Sequence, residues 1–167
     1  AALAGGLIVV GDYSGNVHAL DPATGAERWT YTGGQRFYGG PAVSGDTIVI
    51  GDVGGAVIAL DARTGAERWR HSTGAFVYST AAIADGAAFI GSYAGRFTAL
   101  EVATGAVRWS FDAGGRISGS ATVDDSGQPQ QQPPGMFTDR LDGVIALRAA
   151  ARSTAPQRLT ASEPAVG

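Results

Sequence analysis

Gly11–Trp29 reads GDYSGNVHALDPATGAERW, Gly51–Trp69 reads GDVGGAVIALDARTGAERW, and Gly91–Trp109 reads GSYAGRFTALEVATGAVRW. The three stretches are in register at a spacing of 40 residues. A repeat of this length made of short β-rich runs is the pattern of propeller blades. One four-stranded unit cannot cover both its faces and leans on its neighbours. The expected fold is all-β: a β-propeller fragment of three full four-stranded blades, at about 1–31, 41–71 and 81–111, with a degenerate partial fourth at 121–147. Ala1 falls on a repeat position, as the counterpart of Pro41, Ala81 and Ala121, and no Met precedes it. The chain is therefore expected to be a piece of a longer protein.

Four strands per blade follow from alternation and turn residues, clearest in the third copy. They are expected near Tyr78–Ile83, Ala87–Ile90, Arg96–Leu100 and Val107–Phe111, joined by Asp85-Gly86, Ala94-Gly95 and Thr104-Gly105. Glycine in these turns makes a positive φ cheap. The second strands, Leu7–Val10, Thr47–Ile50 and Ala87–Ile90, are almost continuously apolar. An antiparallel sheet with that pattern is covered on both faces, which favours stacked blades over a sandwich. At the two ends of such a stack, Val9, Val17 and Ala19 of the first blade and Trp109 and Phe111 of the third are expected to lack cover.

From Ala19, Ala59 and Ala99 the chain follows A-x-[DE]-x-x-T-G-x-x-x-W. Its members are Ala19, Asp21, Thr24, Gly25 and Trp29; Ala59, Asp61, Thr64, Gly65 and Trp69; and Ala99, Glu101, Thr104, Gly105 and Trp109. Thr-Gly suits the hairpin turn, and an Asp at its entrance accepts backbone N–H groups. With the register so fixed, the three indoles project to one side. There each is expected to cover a small Ala of the neighbouring blade and donate its N–H to a backbone carbonyl.

This pattern resembles the tryptophan-docking motif of the pyrroloquinoline-quinone-type β-propeller repeats, over residues 1 to about 125. The resemblance extends to quinoprotein dehydrogenases, to the outer-membrane β-barrel assembly lipoprotein, and to sensor or scaffold domains of bacterial envelope and kinase proteins. It implies a repeat architecture, and the motif belongs to structure rather than to chemistry.

Composition narrows the function. With 44% hydrophobic and 16% charged residues the chain is globular. A net charge of −3 without a basic, aromatic-interleaved stripe gives no nucleic-acid footprint. No apolar run approaches the roughly 18 residues of a membrane span, so direct membrane insertion is not expected. Without cysteine there are no disulfides, thiolate metal sites or thiol nucleophiles. The two histidines, His18 and His71, fall where other copies hold Ile58, Thr98, Tyr31 and Phe111, so they are read as packing residues, not metal ligands. Asp12 and Asp52 follow the second strand, where Asp commonly bonds its own backbone. No metal site, no catalytic residue and no cofactor is expected.

The connectors vary while the frame stays constant. Arg36, Phe76 and Arg116 align, as do Tyr38, Tyr78 and Ser118. These positions are expected to enter the innermost strand, which in a propeller lines the channel. Arg36, Tyr38, Phe76, Tyr78 and Arg116 are therefore the candidate contacts for an anionic ligand or a partner segment, with solvated loop chemistry as the other reading. The fourth repeat breaks at Gln128–Pro134, whose prolines do not suit a central strand. Residues 148–167 lack periodicity and are expected to be a disordered tail.

Two functions are compatible with this sequence. One is a non-catalytic binding or scaffold module of a bacterial envelope or periplasmic protein, completed by further blades or by self-association and open to a protein partner. The other is a fragment of a quinone-cofactor dehydrogenase. In those enzymes the resemblance implies a closed eight-blade channel and a calcium ion held by carboxylate and amide side chains. None of those cofactor residues is matched in this sequence.

Overall fold

The computed structural model describes residues 1–123; the expected partial fourth blade beyond Val123 and the tail at 148–167 lie outside the described residues. The described residues run through twelve strands and no helix. These are β1 (Ala2–Ala4), β2 (Leu7–Gly11), β3 (Asn16–Leu20) and β4 (Glu27–Thr32); β5 (Ala42–Ser44), β6 (Thr47–Gly51), β7 (Ala56–Asp61) and β8 (Glu67–Ser72); and β9 (Ala82–Ala84), β10 (Ala87–Gly91), β11 (Arg96–Glu101) and β12 (Val107–Asp112). Each set of four is one antiparallel sheet in chain order. The short strands β1, β5 and β9 adjoin from sheet to sheet, so they form the inner edge of three propeller blades and β4, β8 and β12 the outer edge.

Register repeats as strictly as sequence. Ile8 pairs with Leu20, Ile48 with Leu60 and Ala88 with Leu100. Between the third and fourth strands every blade carries the same irregularity, after Ala19, Ala59 and Ala99. Leu20 then pairs with Glu27 and Ala19 with Trp29, which leaves Arg28 as the extra residue of a bulge.

Two apolar seams hold the blades together. Val9, Val17, Phe37, Ile48, Ile50, Ile58 and Leu60 pack between the first and second sheets, and Val49, Val57, Val77, Ile90 and Leu100 between the second and third. Strand β6, in the middle blade, is buried along its whole length, as expected of a sheet covered on both faces.

Two expectations need correction. Tyr78 is not in an inner strand: β9 starts at Ala82 and β5 at Ala42, so 36–38 and 76–78 belong to the connectors. The cause is visible in the backbone. The amides of Phe37, Val77 and Ile117 donate across the blade boundary to the carbonyls of Asp12, Asp52 and Ser92, and so are unavailable to a ladder. Val9, Val17 and Ala19 are also fully buried, because the alternation of β2 and β3 turns them toward the second blade. On the strands of the first blade the large apolar side chains left without cover are Leu3, 68% exposed, and Ile8. On the third blade Trp109 and Phe111 are exposed as expected, at 40% and 50%.

Candidate functional site

The motif residues build the outer edge of each blade. Asp21 Oδ1 accepts the amides of Ala23 and Thr24 at 2.9 and 3.1 Å, and Asp61 Oδ1 those of Arg63 and Thr64, both at 3.0 Å. Gly25, Gly65 and Gly105 close the turn with φ of 71°, 71° and 73°. The bulge arginine then reaches back to the acid: Arg28 to Asp21, Arg68 to Asp61 and Arg108 to Glu101, each at 2.6 Å. That contact and the backbone N–H groups lower the Asp21 carboxyl to about 2. Glu101, one methylene longer, holds the arginine while the amide of Thr104 turns to its backbone carbonyl instead; the Gly25, Gly65 and Gly105 amides go to the backbone carbonyl of the acid in all three blades. The arginine was not singled out in the sequence, although its recurrence one residue before every Trp was the signal.

The indoles cross the seams. Trp29 Nε1 donates to the Ala62 carbonyl at 3.2 Å and Trp69 Nε1 to the Val102 carbonyl at 2.8 Å. What each ring lies on is the turn glycine of the next blade: a Cβ on Gly65 would stand 2.5 Å from Trp29, and one on Gly105 2.7 Å from Trp69. Ala19, Ala59 and Ala99 instead sit opposite the tryptophan of their own sheet. Gly25 has the same turn conformation but nothing within 4 Å of its Cβ position, and the aromatic rings beside Trp109 among the described residues are Phe89 and Phe97 of its own blade.

The opposite turns, between the second and third strands, meet the connectors. Gly15, Gly55 and Gly95 carry φ of 91°, 90° and 77° and lie against the connector backbone, where a Cβ would fall within 3 Å. Their carbonyls accept the amides of Gly33, Thr73 and Ala113 at 2.8 Å. This fixes the backbone around the candidate contacts. Phe37 and Val77 plunge into the seams past Gly11 and Gly51, and Ile117 is buried likewise against Gly91, so the residues on either side of them are turned outward.

Those outward residues join into one strip. Tyr13 packs on Tyr38 at 4.7 Å between ring centroids, Tyr38 on Tyr78 at 4.8 Å, and Tyr78 on Tyr93 at 4.6 Å. Phe76 lies 6.2 Å from both Tyr78 and Tyr93, and the Arg116 guanidinium sits 5.6 Å over the Tyr93 ring. The structure thus brings together Tyr38, Phe76, Tyr78 and Arg116 of the expected contacts and adds Tyr13 and Tyr93. The latter pair occupies turn positions 80 residues apart in register, a signal obscured by Val53 in the middle copy. Arg36 is exposed at the aligned position of the first connector.

The histidines differ in environment. His71 is half-buried, and burial lowers its pKa. His18 is more than a packing residue: Nδ1 lies 2.6 Å from Glu27 and Nε2 3.2 Å from Asp12, and these carboxylates raise its pKa, Glu27 the more strongly. Asp12 also accepts the amides of Ser14 and Asn16. No group of His, Asp and Glu among the described residues has the arrangement to hold a metal ion.

Comparison with known proteins follows the repeat. The profile of the outer membrane protein assembly factor BamB matches residues 13–133. No curated protein matches the chain. Among solved structures, BamB from Moraxella catarrhalis is 31% identical with a TM-score of 0.65, over 72% of this chain and 38% of its own. A quinohemoprotein alcohol dehydrogenase from Comamonas testosteroni is 26% identical with a TM-score of 0.55, over 64% of this chain and 19% of its own. A europium-containing methanol dehydrogenase, 24% identical with a TM-score of 0.57 over 64% of this chain and 23% of its own, shares the fold. The chain thus spans well under half the length of the structures it matches.

Proposed function

Because the chain belongs to the family of the outer membrane protein assembly factor BamB, with its pyrroloquinoline-quinone-type propeller repeats, we propose that it is a non-catalytic, protein-binding propeller module of the bacterial envelope. The observation that carries this reading is the aromatic strip across the connectors. Invariant turns and seams hold the backbone rigid, while large, exposed side chains vary between copies on one edge. Rigid framing of exposed aromatics and arginines is the anatomy of a binding surface. The higher identity and longer coverage against the BamB structure than against the dehydrogenases support the same direction.

The alternative, a fragment of a pyrroloquinoline-quinone-dependent dehydrogenase, draws on the structural likeness to those enzymes. A cofactor titration separates the two. Adding pyrroloquinoline quinone with calcium is expected to leave the cofactor's absorbance and the protein's melting temperature unchanged, since a ligand bound by the native state raises it. A saturable shift at micromolar cofactor would revive the dehydrogenase.

A further inference from the structure

We propose that the strip formed by Tyr13, Tyr38, Tyr78 and Tyr93, flanked by Arg36 and Arg116, binds an extended acidic peptide segment of a partner protein. This deepens the binding-module reading and rests on it. The argument begins with how the rings use their faces. Successive centroids lie 4.6 to 4.8 Å apart with interplanar angles of 21° to 35°, so the tyrosines cover one another's π-faces. What they offer a ligand is mainly edges and hydroxyls. The edge of an aromatic ring is the positive end of its quadrupole, and a phenol donates a hydrogen bond. Tyr31 is the one tyrosine whose hydroxyl is hydrogen-bonded among the described residues, to Glu67 and Arg70 of the next blade. The four hydroxyls of the strip are therefore free for an acceptor.

Charge points the same way. Arg36 and Arg116 form no ion pair among the described residues, in contrast to the paired Arg28, Arg68, Arg70 and Arg108. The acids of the same edge are already engaged. Asp12 is tied to two amides and His18, and Asp52 is buried with its carboxylate accepting the Ala56 amide. Asp112, exposed at the end of β12, accepts the Gly114 amide at 2.8 Å. In a chain of net charge −3 this edge presents ring edges, phenol donors and guanidinium groups, and its carboxylates are tied to backbone amides. A saccharide that stacks on aromatic faces finds those faces occupied. An acidic main chain in extended form fits, because the three centroid steps span about four residues of extended peptide.

The test uses the full chain and fluorescein-labelled peptides of four glutamates or four glutamines, followed by anisotropy. The glutamate peptide is expected to bind saturably, at least about tenfold more tightly than the glutamine peptide, and to weaken with added salt. Replacing both arginines, Arg36→Gln and Arg116→Gln, is expected to weaken it about tenfold. The triple change Tyr13→Phe, Tyr38→Phe and Tyr78→Phe keeps the stack, removes three donors and is expected to weaken it about fivefold. Melting curves establish that each variant is folded. Equal binding of the two peptides, indifference to the arginine changes, absence of binding at millimolar peptide, or preference for a sulfated oligosaccharide of equal charge would each overturn the assignment. Such a failure leaves the module reading standing, since the quinone titration decides that separately.

Discussion

At the scale of single residues, identical letters have unequal work. Trp69 has its indole across a seam with a 2.8 Å bond to Val102, whereas Trp109, the same letter 40 positions later, is 40% exposed. Trp69→Ala is expected to cost about 3–5 kcal/mol, as for other core aromatics, and Trp109→Ala less than about 1 kcal/mol. Denaturant titration of the two variants side by side checks the contrast; equal losses would remove the seam from the explanation. The histidines divide similarly. The His18 pKa is raised by Glu27 and Asp12, so its stabilising contribution is complete below its ordinary value and is lost as pH rises through the raised one. The His71 pKa is lowered by burial, so its contribution is present above the ordinary value and is lost as pH falls. Melting temperatures across about pH 5–8 should therefore lose their decline at the alkaline end in His18→Gln and their decline at the acid end in His71→Gln. The motif positions were legible in the sequence because each is fixed by a local turn. The glycine under each indole was not, because that contact joins residues of different blades, and neither was the ion cluster at His18, which breaks the repeat.

At the scale of elements, the second strand ends in a glycine for a reason that only the neighbouring blade supplies. A Cβ on Gly51 would stand 2.2 Å from Val77 Cγ1, so Gly51→Ala forces two blades apart and is expected to destabilise by about 1–3 kcal/mol. Combining it with Val77→Ala should recover part of the loss, giving a coupling above about 0.5 kcal/mol in a double-mutant cycle. Strict additivity of the two changes would show that the clash is relieved elsewhere. Strands two to four were predicted nearly to the residue from alternation and Gly-bearing turns. The first strand was drawn too long, because Tyr78 continues the apolar pattern while its neighbour Val77 spends its amide on Asp52 of the preceding blade. Periodicity reports which side chains are buried, and it does not report which carbonyl an amide has chosen. The strip of tyrosines was half legible for the same reason: Tyr38 and Tyr78 repeat, whereas Tyr13 and Tyr93 join them only once the turns and connectors are folded together.

At the scale of the whole molecule, the first and third of the described sheets leave apolar surface uncovered, Leu3 and Ile8 on one and Trp109 and Phe111 on the other. Contiguous surface of this kind seeks a partner, so the chain is expected to self-associate at tens of micromolar, and light scattering that finds a strict monomer would count against it. The two surfaces are not alike. Gly25 has the φ of Gly65 and Gly105 with no ring upon it, and Trp109 is an indole with no glycine beneath it among the described residues. One end is a socket and the other a plug, which makes a joint through these two surfaces directional: head to tail, closing into a ring or growing into a filament. A consequence follows for mixtures. A copy carrying Trp109→Glu keeps its socket, and a copy with a bulky side chain at Gly25 keeps its plug. Neither associates alone, and the two together stop at a pair.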